Sequence, residues 1–152
     1  MTTRSIHDSV RVSQPGLIQT ITSGNIVFAD IDTRAFDSAL FAVVFGDIDE
    51  LGGSPLGGAQ IDVHVEHAAD DGTGAPGSYA DVATGDIDGD DVTVSSGILA
   101  SLTDDRSAYS FGYIGSRRFV RVTLEPTGLT NGGPVGLVLL QGHAHLAPVS
   151  QG

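Results

Sequence analysis

The sequence predicts an all-β protein: a single-domain antiparallel β-sandwich or barrel, jelly-roll-like, over residues 17–152, with an extended N-terminal arm over residues 1–16. Three observations predict it. Short apolar runs alternate with polar positions at a period of two, which places every second side chain on one face of an extended strand. Clusters of Gly, Pro, Asp and Asn separate these runs and supply the backbone dihedrals that turns require. No segment carries a sustained helical period, and Ile98–Asp104 has room for one helical turn at most.

Taken in order, the first sixteen residues show no period, carry Arg4 and Arg11, and end at Pro15-Gly16. Such a terminus frays when nothing ties it down; the sharper reading is an arm that orders on a partner through Arg4, Arg11, Val12 and Leu17. Leu17–Thr22 and Ile26–Asp32 are short β-prone runs, and Thr33–Ser38 is a polar break. Ala39–Phe45 is apolar at every position, as a buried central strand is. Gly46–Gly58 reads as a long loop too poor in apolar residues to fold by itself. Ala59–Ala68 alternates, with Ile61, Val63 and Val65 inward and Asp62, His64 and Glu66 outward. Ala69–Gly77 is a turn, Ser78–Ala83 a short returning strand, Gly85–Asp91 an acidic turn, and Val92–Val94 and Ile98–Leu99 are short apolar pieces. Tyr109, Phe111 and Tyr113 share one face of Ala108–Ile114. In Arg118–Glu125, Val120, Val122 and Leu124 point one way and Phe119, Arg121 and Thr123 the other. Pro126–Pro134 is a turn-rich connection to Val135–Leu140, a run so uniformly apolar that it looks covered on both faces. These last two strands read as a hairpin at the centre of the domain.

The chain of 152 residues and 15.6 kDa suits one domain with its own core. With no Cys, it has neither a disulfide framework nor a thiolate metal site. Its net charge is -12, and all 7 basic residues are Arg. A field of that sign repels phosphate, so neither nucleic acid nor an anionic membrane is an expected partner. MTTRSIHDSV lacks the pattern of a secretory signal and Ala39–Phe45 is too short to span a bilayer, so a soluble protein made in the cytoplasm is expected.

Candidate chemistry is sparse. Asp86-Ile87-Asp88-Gly89-Asp90-Asp91 offers carboxylates for calcium but lacks the Gly and terminal Glu spacing of an EF-hand loop, so a solvated acidic turn is expected. The same holds for Asp30/Asp32 and Asp47/Asp49. His64, Glu66 and His67, with His143 and His145, suggest a zinc site on two strands. However, His67 faces away from His64 and Glu66, and surface histidines are the expected reading. No nucleophile elbow and no phosphate-binding glycine pattern occurs, so no catalytic residue, cofactor or metal site is assigned and an enzyme is not expected. Arg117, Arg118 and Arg121 concentrate positive charge within five positions. They either pair with the chain's own carboxylates or bridge to an acidic neighbour.

Thr33-Arg34-Ala35-Phe36-Asp37-Ser38-Ala39-Leu40-Phe41, the turn Ala69-Asp70-Asp71-Gly72, Tyr113-Ile114-Gly115-Ser116-Arg117-Arg118-Phe119-Val120-Arg121-Val122 and the closing apolar strand follow one another over residues 25–149. That order resembles small proteins of the structural gene clusters of tailed phages. The resemblance implies a head decoration, or cement, protein on the capsid exterior. Its partners would be the major capsid protein and itself, as a homotrimer at three-fold positions. It carries over no catalytic or metal residue. A neck or tail component is the alternative, and a carbohydrate-binding or adhesive module the second alternative.

Overall fold

Strands form where the period of two predicts them, but the chain changes sheet at almost every connection. The computed structural model describes residues 10–51, 58–89, 93–104 and 108–144. Within these lie β1 (Val10–Ser13), β2 (Gln19–Ile21), β3 (Ile26–Asp32), β4 (Phe36–Phe45), β5 (Gln60–Ala68), β6 (Ala80–Asp81), β7 (Ile87–Asp88), β8 (Ile98–Leu102), β9 (Ala108–Tyr113), β10 (Phe119–Thr127) and β11 (Gly133–Ala144). The first sheet has the order β1-β11-β4-β9-β7, with β2 on the same edge of β11 as β1. The second has the order β3-β10-β5-β6, with β8 beside β6 on β5. All pairs are antiparallel.

The pairings are nested. β1 meets β11, β3 meets β10, β4 meets β9, and β5 meets β6 and β8, as though one long hairpin had been rolled up. Rolling brings β4 against β11 and β5 against β10, which is the strand order of a double-sheet jelly roll.

This order corrects the expected central hairpin. β10 and β11 follow each other in sequence yet lie in different sheets, because each finds a longer partner elsewhere. Val135–Ala144 pairs with Phe45–Phe36, and Phe119–Thr127 pairs with Ala68–Gln60. Their connection crosses between the sheets. Gly132 has φ +66 there, and a Cβ at that position would collide with the backbone carbonyl of Ile21. Within the expected arm, Val10–Ser13 pairs with Gly142–Leu139 as an edge strand. Residues 1–9, with Arg4, lie outside the described residues.

The inward faces meet in one core. Phe41, Val43, Ile61, Val63, Val65, Phe111, Val120, Val122, Leu124 and Leu137 are buried, and the rings of Phe41 and Phe111 stack with centroids 5.1 Å apart. Part of the expected loop after β4 joins this core: Ile48 and Leu51 are buried. Between them Glu50 turns its carboxylate to the backbone N–H groups of Thr130, Asn131 and Gly132. Those hydrogen bonds, the one from Asn131 foremost, hold its pKa below the usual value against the opposing effect of burial. Two apolar residues and one anchored carboxylate thus pin a segment that reads as loop by composition.

Phe111→Ala removes a stacked, fully packed ring and is expected to cost about 3–5 kcal/mol in denaturant unfolding. Val27→Ala, at an exposed position of β3, is expected to stay within about 0.5 kcal/mol of the parent.

Candidate interaction surface

The two sheets present outer faces of opposite character. On the second sheet, register sets charged residues side by side: Arg121 stands opposite Glu66, Thr123 opposite His64, and Glu125 opposite Asp62. Arg121 donates Nε and Nη2 to the two oxygens of Glu66, each at 2.7 Å, and its guanidinium lies 4.1 Å from the centre of the Tyr79 ring. Tyr79 in turn donates its hydroxyl to Asp30 at 2.9 Å; burial, and then this bond, push its pKa up to about 12. His64 is held between Glu125 at Nδ1 and Asp81 at Nε2, both at 3.0 Å. Burial pulls its pKa down, but the bonds to Asp81 and Glu125 outweigh that and leave it raised.

Arg118 precedes β10, so strand alternation does not bind it. Its guanidinium lies 4.5 Å from the centre of the Phe119 ring, gives Nε and Nη2 to Asp32 at 2.8–3.2 Å, and reaches Asp70 with Nη1. The Arg118 bond lowers the Asp32 pKa. Asp70 is lowered first by the N–H groups of Gly72 and Gly74 and then by Arg118. Arg118 and Arg121 are therefore turned to the chain's own carboxylates, not offered to an acidic neighbour. Arg117 is exposed, with its backbone N–H donated to the Tyr113 hydroxyl.

The acidic candidates are structural. Asp86 accepts the Ala83 N–H at 2.9 Å within a short 3-10 turn, and Asp88 pairs in β7; Asp90 and Asp91 lie outside the described residues. Asp30 and Asp32 are held by Tyr79 and Arg118, and Asp47 and Asp49 are exposed. Of the zinc candidates, His67 points inward to the Tyr113 hydroxyl at 3.0 Å, whereas His64 and Glu66 point outward. The side chain of His143, and His145, lie outside the described residues. Asp81 joins His64 and Glu66 because β6 pairs Asp81 with Glu66. The sequence shows the returning strand that carries Asp81 but not its register.

The first sheet is different. Register places Val12, Leu140, Leu40 and Gly112 in one row across four strands, and Val138, Ala42 and Ser110 in the next. Among the described residues, no charged side chain occupies an outward position of β1, β11, β4 or β9. Val12 is 54% exposed, Leu40 41% and Ile114 61%. A depression of about 330 Å³ lies here, lined by Val10, Leu40, Gly112, Ile114 and Leu140, with Asp88 of β7 at its border. Leu17 and Ile18, exposed beside β2, extend the apolar character along the edge. Arg11, on the opposite parity of β1, borders a groove with Asp30, Asp32 and Gln141. Of the arm residues expected to make contacts, Val12 belongs to this face and Leu17 to its margin. β4 and β11, expected to be covered on both faces, are covered by the described residues on one.

No protein-family model, curated protein or solved structure matches the chain. The surface itself therefore carries the functional reading.

Because Arg118 lowers the pKa of Asp32 and Asp70, the stability it supplies is present above the ordinary carboxylate range, near about 4, and is lost as pH falls through the lowered values. Arg118→Met is expected to lower the thermal midpoint by a few degrees at pH 7. The gap should close toward pH 2 in a series of thermal melts.

Proposed function

We propose that this protein is a tailed-phage head decoration protein, bound to the capsid exterior and cementing neighbouring major capsid protein subunits against the pressure of packed DNA. The observation that carries the reading is the outer face of the first sheet. The outward positions of its two central strands are apolar or small, with Asp88 of β7 the charge at their margin, and a face of that kind on a chain of net charge -12 is suited to being covered. Two further features support it. The second sheet's outer face satisfies its own charges and suits exposure to solvent, and the jelly roll offers a stiff body. A subunit that binds only the assembled shell shifts stability toward that assembly. A homotrimer on a three-fold position would let each copy touch several shell subunits. An adhesive, sugar-stacking role finds less support: Tyr113 is buried and the Tyr79 ring lies under Arg121.

Purified particles are expected to contain this protein at a copy number comparable to the major capsid protein. A few copies per particle would instead point to the neck or tail. Leu40→Asp combined with Leu140→Asp is expected to leave the fold intact and to weaken attachment to shells at least tenfold in a co-sedimentation assay.

A further inference from the structure

We propose that His64, Glu66 and Asp81 form a binding site for a divalent first-row transition ion, with zinc as the ion that fits best. The site is independent of the face assigned to the shell. One potential ligand atom from each of the three side chains lies within 4.8 Å of the others. Zinc holds imidazole nitrogen and carboxylate oxygen at about 2.0–2.2 Å, so tetrahedral ligand atoms stand roughly 3.4 Å apart. A rotamer adjustment of the half-exposed Asp81 closes most of the difference, and Glu66, held by Arg121, would offer a remaining lone pair from where it stands. Two of the ligands are spaced i, i+2 on β5 and so share a face, and the third is fixed by the Glu66–Asp81 register with β6.

The surroundings are those of a metal centre's outer shell. Glu125 holds Nδ1 of His64 at 3.0 Å, which orients the ring as a carboxylate orients a zinc-binding imidazole, and zinc would replace the Nε2 proton now shared with Asp81 at 3.0 Å and release it to solvent. Arg121 grips Glu66, and a carboxylate that accepts such bonds keeps lone pairs for a cation. Gly97, at φ +75, packs against the His64 ring where any side chain would collide with it. The charges facing the cluster are Glu125, Asp62 and Arg121, which with Glu66 and Asp81 leave it negative. Asp81 stands 49% exposed, so the fourth position opens to water. One imidazole with only two carboxylates is a poor cage for calcium or magnesium, which take six or more oxygens, and a good one for zinc. A bound ion would tie the two-residue edge strand β6 to β5 and stabilise the fold by mass action.

The test is calorimetric titration of the full chain with zinc chloride at pH 7, with calcium and magnesium chlorides as comparisons, alongside thermal melts. One saturable zinc ion per chain, a rise in thermal midpoint with zinc, and no equivalent effect of calcium or magnesium are expected. His64→Gln and Asp81→Asn should each weaken zinc binding at least tenfold. His67→Gln, on the inner face, should leave it unchanged. Asp81 is exposed, so its variant reads the site even where the His64 variant folds poorly. Absence of saturable binding, or binding that survives Asp81→Asn at full affinity, would overturn the proposal.

Discussion

The pairing of β4 with β11 is the constraint on which the rest of the structure depends. The two strands come from distant parts of the chain, run antiparallel from Phe36 opposite Ala144 to Phe45 opposite Val135, and fill the middle of the first sheet. Neither has another partner long enough to satisfy its backbone along that length. Once they pair, β9 and β1 must add at their free edges, and β3, β10 and β5 are carried over to form the second sheet. Contacts so distant in sequence make loop closure costly before any burial is gained, so folding of such a topology is slow compared with a helical domain of equal size.

The same pairing creates the molecule's asymmetry. Phe41, Val43, Leu137 and Leu139 face the core, whereas Leu40, Ala42, Val138 and Leu140 face outward with no cover from this chain among the described residues. On the opposite side of the sandwich, Arg121–Glu66, Arg118–Asp32 and His64 with its two carboxylates close on one another. Exposed ion pairs of this kind contribute modestly to stability. Their larger effect is on recognition, because they occupy the cations that would otherwise mark the second sheet as a docking surface for an acidic partner.

How much of this was legible depends on whether the governing interaction is local. The alternation in Ala59–Ala68, in Tyr109–Tyr113 and in Val120–Leu124 is a local property, and the structure reproduces it. Strand order is not local: nothing within Pro126–Pro134 says that β10 and β11 part company, since the decision belongs to β4 and β5. Ile48 and Leu51 are hidden by their Gly- and Asp-rich neighbours, and only the anchoring of Glu50 by the β10–β11 connection explains why they enter the core. The arginine cluster was legible as charge, and pairing with the chain's own carboxylates as one of two readings, but the partners were not, because Asp32, Glu66 and Asp70 reach it through sheet register and a turn. Asp81 was illegible as a neighbour of His64 for the same reason. The doubly apolar runs were the most informative local signal, since the cover they call for on the second side is not supplied by the described residues.

The outer face of β4 and β11, which the described residues leave uncovered, is the one expected to be buried in assembly. Hydroxyl-radical footprinting of the free protein and of the protein on particles reads it side chain by side chain. Leu40, Ile114 and Leu140 are expected to be labelled in the free protein and protected on the particle, with Tyr79 and His64 labelled alike in both. Protection of Tyr79 and His64, with Leu40, Ile114 and Leu140 unchanged, would contradict it.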